Sequence, residues 1–378
     1  MSEYTKNFKV IDFVLVFLSV FLKYMKFTFS ISSIYIYILF YVFIFINIIG
    51  FQKLKVRKNE LVKIIILFIF CLCATFFTNT IDFVMPFLFV LFFYRKDYKQ
   101  YLFYLFISSC FCFAIVLIGN NVGIIEASTM NRQIYNGKII VRSSIGFEHV
   151  NSAFVHYTII VLLWYYLFKN NKLFYIVNLT ITLYIFNQTN SRTGFMCLSL
   201  FFLLSIFNLE KIAPIIQKLL PLSFLLLFIV SIVITGNFEV SSINELLTNR
   251  PYYWNYCFQN LNEFSLFGNE IPENIPIDNL YLYILFKCGI LVFLVYIVLF
   301  IVGAKKITDK KLMLTLIMFG AYALFESNHV YYINYTMFII YYYFIKCKKD
   351  NYSYDKNDKS LKNNCINKTF VDTTIGRE

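Results

Sequence analysis

Charge is what this sequence lacks. Only 15% of its 378 residues are Asp, Glu, Lys or Arg, against roughly a quarter in an ordinary soluble domain. With 59% hydrophobic and 21% aromatic residues, too little polar surface remains to cover a water-soluble fold. Metal-ligating patterns are missing as well: three His and nine Cys form no cluster with zinc spacing, and Cys71 and Cys73 do not make a C-x-x-C. Most cysteines (Cys71, Cys73, Cys110, Cys112, Cys197, Cys288) sit inside apolar runs, where a thiol acts as a small apolar filler. No disulfide scaffold, metal or cofactor is expected. There is no internal repeat and no small-residue cleavage site after the first apolar run. Asp12 and Lys23 bracket that run and a second follows at once, which fits an uncleaved first helix better than a secretion signal.

What the chain does have is apolar runs, recurring from Val10 to Ile345 with short polar interruptions. A spanning helix needs about 20 apolar residues. Candidates are 10–22, 29–49, 61–77, 81–94, 98–118, 152–168, 172–187, 193–208, 212–235, 280–303, 311–325 and 330–346. These predict an all-α, polytopic integral membrane protein of about twelve transmembrane helices, in which 81–94 either crosses or forms a re-entrant hairpin. The net charge of +13 would attract nucleic acid if it were gathered on a surface. Lys and Arg lie instead in short loops and in the tail, the pattern that fixes membrane orientation, so no nucleic-acid partner is expected. With every candidate crossing, Lys53, Lys55, Arg57 and Lys58 share the inner side with Arg95, Lys96, Lys99 and the tail. A hairpin at 81–94 would split them. The expected arrangement is therefore a membrane domain over 1–348 with both termini cytoplasmic, two long outer loops (119–151 and 236–279), and a disordered polar cytoplasmic tail over 349–378.

Most of the polar chemistry falls in those outer segments, where loops on a rigid scaffold carry function. Arg142 to Asn151 gathers a cation, Glu148, His149 and Asn151 before a helix start, a place that favours anions; the plainer reading is a helix cap by Asn151 or Ser152. Arg192, in the turn with Ser191, is a cation on the side where positive residues are disfavoured and calls for a partner. Its guanidinium suits phosphate oxygens; the plainer reading is a side chain reaching the headgroups. In the 236–279 loop, Arg250 would hold an anion, Tyr252, Tyr253 and Trp254 would stack on sugar rings, and Asp278 would accept a proton. The alternative there is an interfacial helix through 243–261. Glu326 and His329, in a last outer turn, are second-rank candidates for acid or base work.

Three of these pieces together resemble the Wzy-type O-antigen and capsular polysaccharide polymerases of the O-antigen polymerase/ligase superfamily. Gly146-Phe147-Glu148-His149-Val150-Asn151 is similar to the family's G-F-x-H-x-N entry into a span. Asn190-Ser191-Arg192-Thr193-Gly194 is similar to its S-R-T/G-G turn, and Ile277-Asp278-Asn279-Leu280-Tyr281 through Gly289 to its D-N-x-Y…G segment. Order and placement between spans also match, over nearly the whole chain. Some members pair an Arg with a Gly at a fixed spacing in each long outer loop; counted from Arg132 and Arg250, those glycine positions hold Ser143 and Leu261.

The resemblance implies a metal-independent glycosyltransferase of the bacterial cytoplasmic membrane. It would join oligosaccharide repeat units carried on undecaprenyl diphosphate, alongside a flippase and a chain-length regulator. Arg142, Arg192 and Arg250, with Asn151, Ser191 and Asn279, would bind substrate and diphosphate, while His149 or Asp278 would be the general base and Glu326 a further catalytic candidate. A ligase of the same superfamily would use nearly identical motifs. A transporter or flippase of lipid-linked oligosaccharides would carry midplane charges and repeated halves, which this sequence lacks.

Overall fold

Apolar runs that open on Asp or Asn fold as helices, because the short side chain caps the first free N–H groups and the apolar residues then pack. The computed structural model describes residues 9–29, 34–51, 56–78, 81–94, 96–133, 139–168, 171–207, 209–237, 239, 247, 249–263, 265–272, 275–326 and 334–346. Among the described residues 76% are helical, in 14 helices. They are α1 (Val10–Phe29), α2 (Ile34–Phe51), α3 (Lys58–Thr78), α4 (Val84–Phe93), α5 (Tyr98–Asn121), α6 (Ser152–Leu167), α7 (Lys172–Thr189) and α8 (Arg192–Ile206). There follow α9 (Leu209–Gly236), α10 (Arg250–Asn260), α11 (Leu280–Tyr283, continued by a π turn over Ile284–Cys288), α12 (Ile290–Ala304), α13 (Lys310–Tyr322) and α14 (Tyr335–Ile345). Asp97, Asn171, Asn279 and Asp309 cap α5, α7, α11 and α13 by side-chain hydrogen bonds. The chain divides into the units Met1–Ile345 and Lys346–Glu378, and all of these helices belong to the first. The expected polar tail, 349–378, lies outside the described residues, as does His329.

Each apolar run expected to be helical coincides with a described helix, with amendments. The 119–151 loop is not all coil: β1 (Thr129–Gln133) and β2 (Ile139–Ser143) pair antiparallel, with Met130 opposite Arg142. The run 280–303 is broken at Gly289, whose φ of 87° and contact with the Gly268 backbone leave no room for a Cβ. Asn269 N–H donates to Phe286 O at 2.8 Å and Ile290 N–H to Ser265 O at 2.9 Å, so the 236–279 loop is docked into that break.

Among the described residues, three helices are long and apolar enough, by length and composition, to cross a membrane: Lys58–Thr78, Tyr98–Asn121 and Ala213–Gly236. The others are shorter or more polar. α4 has 10 residues, about 15 Å at 1.5 Å per residue, roughly half the hydrocarbon thickness. Exposed side chains along α3 (Val62, Ile65, Ile66, Phe68, Ile69, Leu72, Phe76) are apolar, a distribution suited to lipid contact.

The segment 81–94 forms one helix and not a hairpin, and two ion pairs orient it. Lys23 Nζ lies 2.8 Å from Asp82 Oδ1, and Lys96 Nζ lies 2.7 Å from Asp12 Oδ2, so α4 runs antiparallel to α1. The two pairs differ in depth: Lys23 and Asp82 are both buried, whereas a quarter of the Lys96 side chain is exposed. Removing Asp82 leaves Lys23 buried without that partner, at a cost of about 3–5 kcal/mol, whereas removing the equally buried Asp12 leaves Lys96, which still reaches water and loses less. Asp82→Asn is therefore expected to lower the thermal unfolding midpoint in detergent far more than Asp12→Asn does. Equal effects would show that the depth difference does not matter.

Candidate functional site

Six helix ends meet beside one cleft: the C-terminal ends of α7 and α13, and the N-terminal ends of α6, α8, α10 and α11. The cleft has a volume of about 140 Å³ and is lined by Arg142, His149, Asn151, Ser191, Arg192, Thr193, Arg250, Tyr253, Pro276 and Asp278. A water molecule needs roughly 10–15 Å³ of such space, so a group of several heavy atoms fits. Seven of the nine residues singled out from the sequence line it, drawn from segments far apart in the chain. Glu326 and Asn279 do not.

Local backbone geometry puts the arginines there. Asn190 (φ 49°) and Asn249 (φ 59°) are left-handed, a conformation Asn tolerates better than most residues, and each turns the chain into a new helix. Arg192 and Arg250 are the first residues of α8 and α10. A cation at a helix N-terminus opposes the helix dipole, so neither arginine is there for the helix's sake. Behind Arg192, Gly194 packs against the Phe154 ring with no room for a Cβ, bringing the starts of α6 and α8 together.

The three guanidinium groups are held differently. Arg142 donates from Nε to Thr189 O at 2.7 Å and from Nη2 to Asn151 Oδ1 at 2.9 Å, tying β2 to the end of α7 and the start of α6. Arg250 is 6% exposed and lies between two carboxylates, with Nη2 at 3.0 Å from Glu326 Oε1 and Nε at 3.4 Å from Asp278 Oδ2. Its Nη1 is buried without a hydrogen-bond partner among the described residues. Arg192 is half-buried and makes no ion pair there, so the partner that the sequence calls for is not a described protein group.

The helix starts are similarly open. Asn151, Ser191 and Asn249 precede α6, α8 and α10, and none makes a side-chain cap. The expected cap by Asn151 fails because its Oδ1 is engaged by Arg142. Ser191 Oγ is buried without a partner among the described residues. An unpaired buried polar atom costs about 1–3 kcal/mol. Two such atoms on residues that line one cleft, with three helix N-termini lacking side-chain caps beside it, describe a site suited to an acceptor-rich, negatively charged group.

No protein-family model, curated protein or solved structure matches this chain. The site is therefore read from its own geometry.

His149, exposed at the cleft mouth, has its pKa held below the ordinary imidazole value by desolvation from the surrounding walls, then by Arg142 and Arg250, with Asp278 and Glu148 opposing. The shift favours the neutral ring. Its Nδ1 accepts the Asn151 N–H at 3.2 Å, so the proton sits on Nε2 and that nitrogen is a donor. Asp278 presents a carboxylate whose side chain is 35% exposed. Glu326 is 2% exposed, and burial pushes its pKa up to about 7 even though Arg250 beside it pulls the other way. For Arg250, burial lowers the pKa but Glu326 and Asp278 outweigh it, so it stays charged.

Two assignments change. Asn279 is a structural amide: Nδ2 donates to Ser231 Oγ at 2.9 Å and Leu324 O at 3.0 Å, while Oδ1 accepts from Tyr281 N and Leu282 N. With all its hydrogen-bonding capacity used, it fixes Asp278 in position and has nothing left for a ligand. Trp254 is fully buried among Cys257, Ile277, Leu282 and Phe286, so it anchors α10 and offers no face to a sugar. That face belongs to Tyr253, on the cleft. The alternative of a helix through 243–261 holds for Arg250–Asn260; 243–246 and 248 lie outside the described residues.

Proposed function

We propose that this chain is a multi-pass membrane glycosyltransferase of the Wzy type, joining undecaprenyl-diphosphate-linked oligosaccharide repeat units on the outer face of the bacterial cytoplasmic membrane. The observation that carries the reading is the convergence of Arg142, Arg192 and Arg250 on one cleft with Asp278 and His149. In the proposed topology about twelve segments cross, both ends are cytoplasmic, and 119–151 and 236–279 are outer loops. The antiparallel course of α4 against α1 supports the alternation this requires.

In the reaction, an acceptor hydroxyl attacks the anomeric carbon of a sugar whose bond to the lipid diphosphate breaks, and the bonding electrons leave with the diphosphate. Charge developing on that leaving group would meet the free Nη1 of Arg250, the unpaired guanidinium of Arg192 and the Ser191 hydroxyl, all fixed before the reaction begins. Arg142, with two nitrogens engaged, would hold the cleft's shape as well as add charge. Of the two base candidates, the neutral His149 has one nitrogen accepting a backbone N–H and the other protonated. It would donate to the leaving group, and Asp278 would take the hydroxyl proton.

The test is reconstitution in liposomes with a lipid-linked repeat unit, reading product length. A ladder of longer lipid-linked chains is expected. Transfer of a finished chain to a different lipid or protein acceptor would make it a ligase. Movement of the substrate across the bilayer with no lengthening would make it a transporter and end the enzymatic reading.

A further inference from the structure

Arg250 has three nitrogens and two carboxylates. Glu326 and Asp278 occupy the Nη2 and Nε edge of its guanidinium, at 3.0 Å and 3.4 Å, and Nη1 alone is left. Asp278 stands in the cleft, but Glu326 stands behind Arg250, in the turn that follows α13, and does not line the cleft. It is too deep to reach a substrate. Resting on the reading of the cleft as an anion site, we infer that Glu326 is a positioning residue that also regulates the cleft's charge. It fixes the Arg250 fork when the cleft is empty and takes up a proton when a phosphate-like anion occupies it.

The argument is one of competition for a single cation. An anion bound in the cleft that Arg250 lines adds negative charge beside two carboxylates already sharing that guanidinium. A buried carboxylate gives up charge more readily than an exposed one, because it has no water to fall back on. Asp278, a third exposed, keeps solvent; Glu326 has none to speak of. The groups facing Glu326 from the elements around it are Arg250 on α10, Asp278 before α11, Arg142 on β2, Cys197 on α8 and Tyr322 on its own α13. Arg250 and Arg142 favour its carboxylate, and Asp278 and burial disfavour it. The balance leaves it titrating at about pH 7, within reach of a bound ligand's charge. The proton moves onto the carboxylate and no covalent bond changes.

Sulfate is the probe, because its charge is constant from about pH 6 to about pH 8 while that of phosphate and pyrophosphate is not. Binding to the detergent-solubilised full chain would be followed by calorimetry at both pH values. For the unsubstituted protein the affinity should fall as pH rises, by up to about tenfold for each unit by which the bound anion raises the carboxyl pKa. It should fall equally in His149→Gln, which removes the other group that would give the same sign. In Glu326→Gln the dependence should vanish. Dependence that survives in Glu326→Gln, or disappears in His149→Gln, overturns the inference and leaves the anion site standing. No sulfate binding at any pH overturns the anion site, and with it the inference. Should Glu326→Gln fail to fold, titrating the unsubstituted protein in two buffers of different ionisation enthalpy measures proton uptake directly, and zero uptake overturns the inference.

Discussion

Arg192→Ala is expected to slow chain growth by about 10²–10³-fold while leaving the thermal unfolding midpoint unchanged. The magnitude is what removal of one fixed donor to a developing oxyanion costs elsewhere. The unchanged stability follows from the environment of Arg192: it makes no ion pair among the described residues and begins a helix whose dipole it opposes, so the fold loses nothing when it goes. Arg250→Ala should be at least as damaging to growth but should also shift stability, since Glu326 is left buried without its cation. The two variants together separate chemistry from folding. Lysine at either position should not restore activity, because a point charge cannot reproduce the planar fork, which at Arg250 must also meet Glu326 and Asp278. Elongation assays beside unfolding curves check all four proteins. Arg192→Ala with normal product length would remove Arg192 from the site and leave the cleft without its clearest unpaired cation.

How much of this was legible in the sequence depends on the range of the interaction concerned. Helices were legible because apolar runs and their Asp and Asn caps are local; Tyr98–Asn121 and Ser152–Leu167 begin at the residues where the expected runs begin. Candidate residues were legible as unusual chemistry in the polar turns between apolar runs. Their partners were not. Pairing of Glu326 with Arg250 joins residues 76 apart, and the Lys23–Asp82 pair is likewise long-range, so neither has a local signal. Trp254 was misjudged because an aromatic residue among polar neighbours reads as exposed, while the apolar residues that bury it, Ile277, Leu282 and Phe286, come later in the chain. The β-hairpin has only a weak local signal, in the β-branched Ile139-Ile140-Val141. Asn279 was taken for a ligand because it falls in the segment that resembles the D-N-x-Y…G motif, and only the tertiary contacts to Ser231 and Leu324 show that its amide is consumed by the fold.

Asp278→Asn is expected to lower the maximal rate of elongation by about 10²–10⁴-fold, the usual contribution of a positioned general base, with little change in substrate affinity. Affinity should hold because Arg250 keeps its shorter contact to Glu326 and its Nη1 is untouched by the exchange. His149→Ala should cost less, since a donor at the cleft mouth is lost but the proton acceptor stays. The two assignments differ in their pH profiles. The His149 pKa is depressed, so the ring charges only as pH falls below the ordinary imidazole range. If imidazole were the base, kcat/KM would fall along that acid limb, and the limb would vanish in His149→Ala yet persist in whatever activity remains to Asp278→Asn. With Asp278 as the base, His149→Ala keeps the shape of the profile at a lower height. The physical reason to expect the second outcome is a single hydrogen bond: Asn151 N–H on His149 Nδ1 fixes the tautomer and puts the ring's one proton on Nε2, so neither nitrogen is free to accept another. No substitution of Asn151 except proline removes that bond, because the donor is backbone, so the bias belongs to the turn itself.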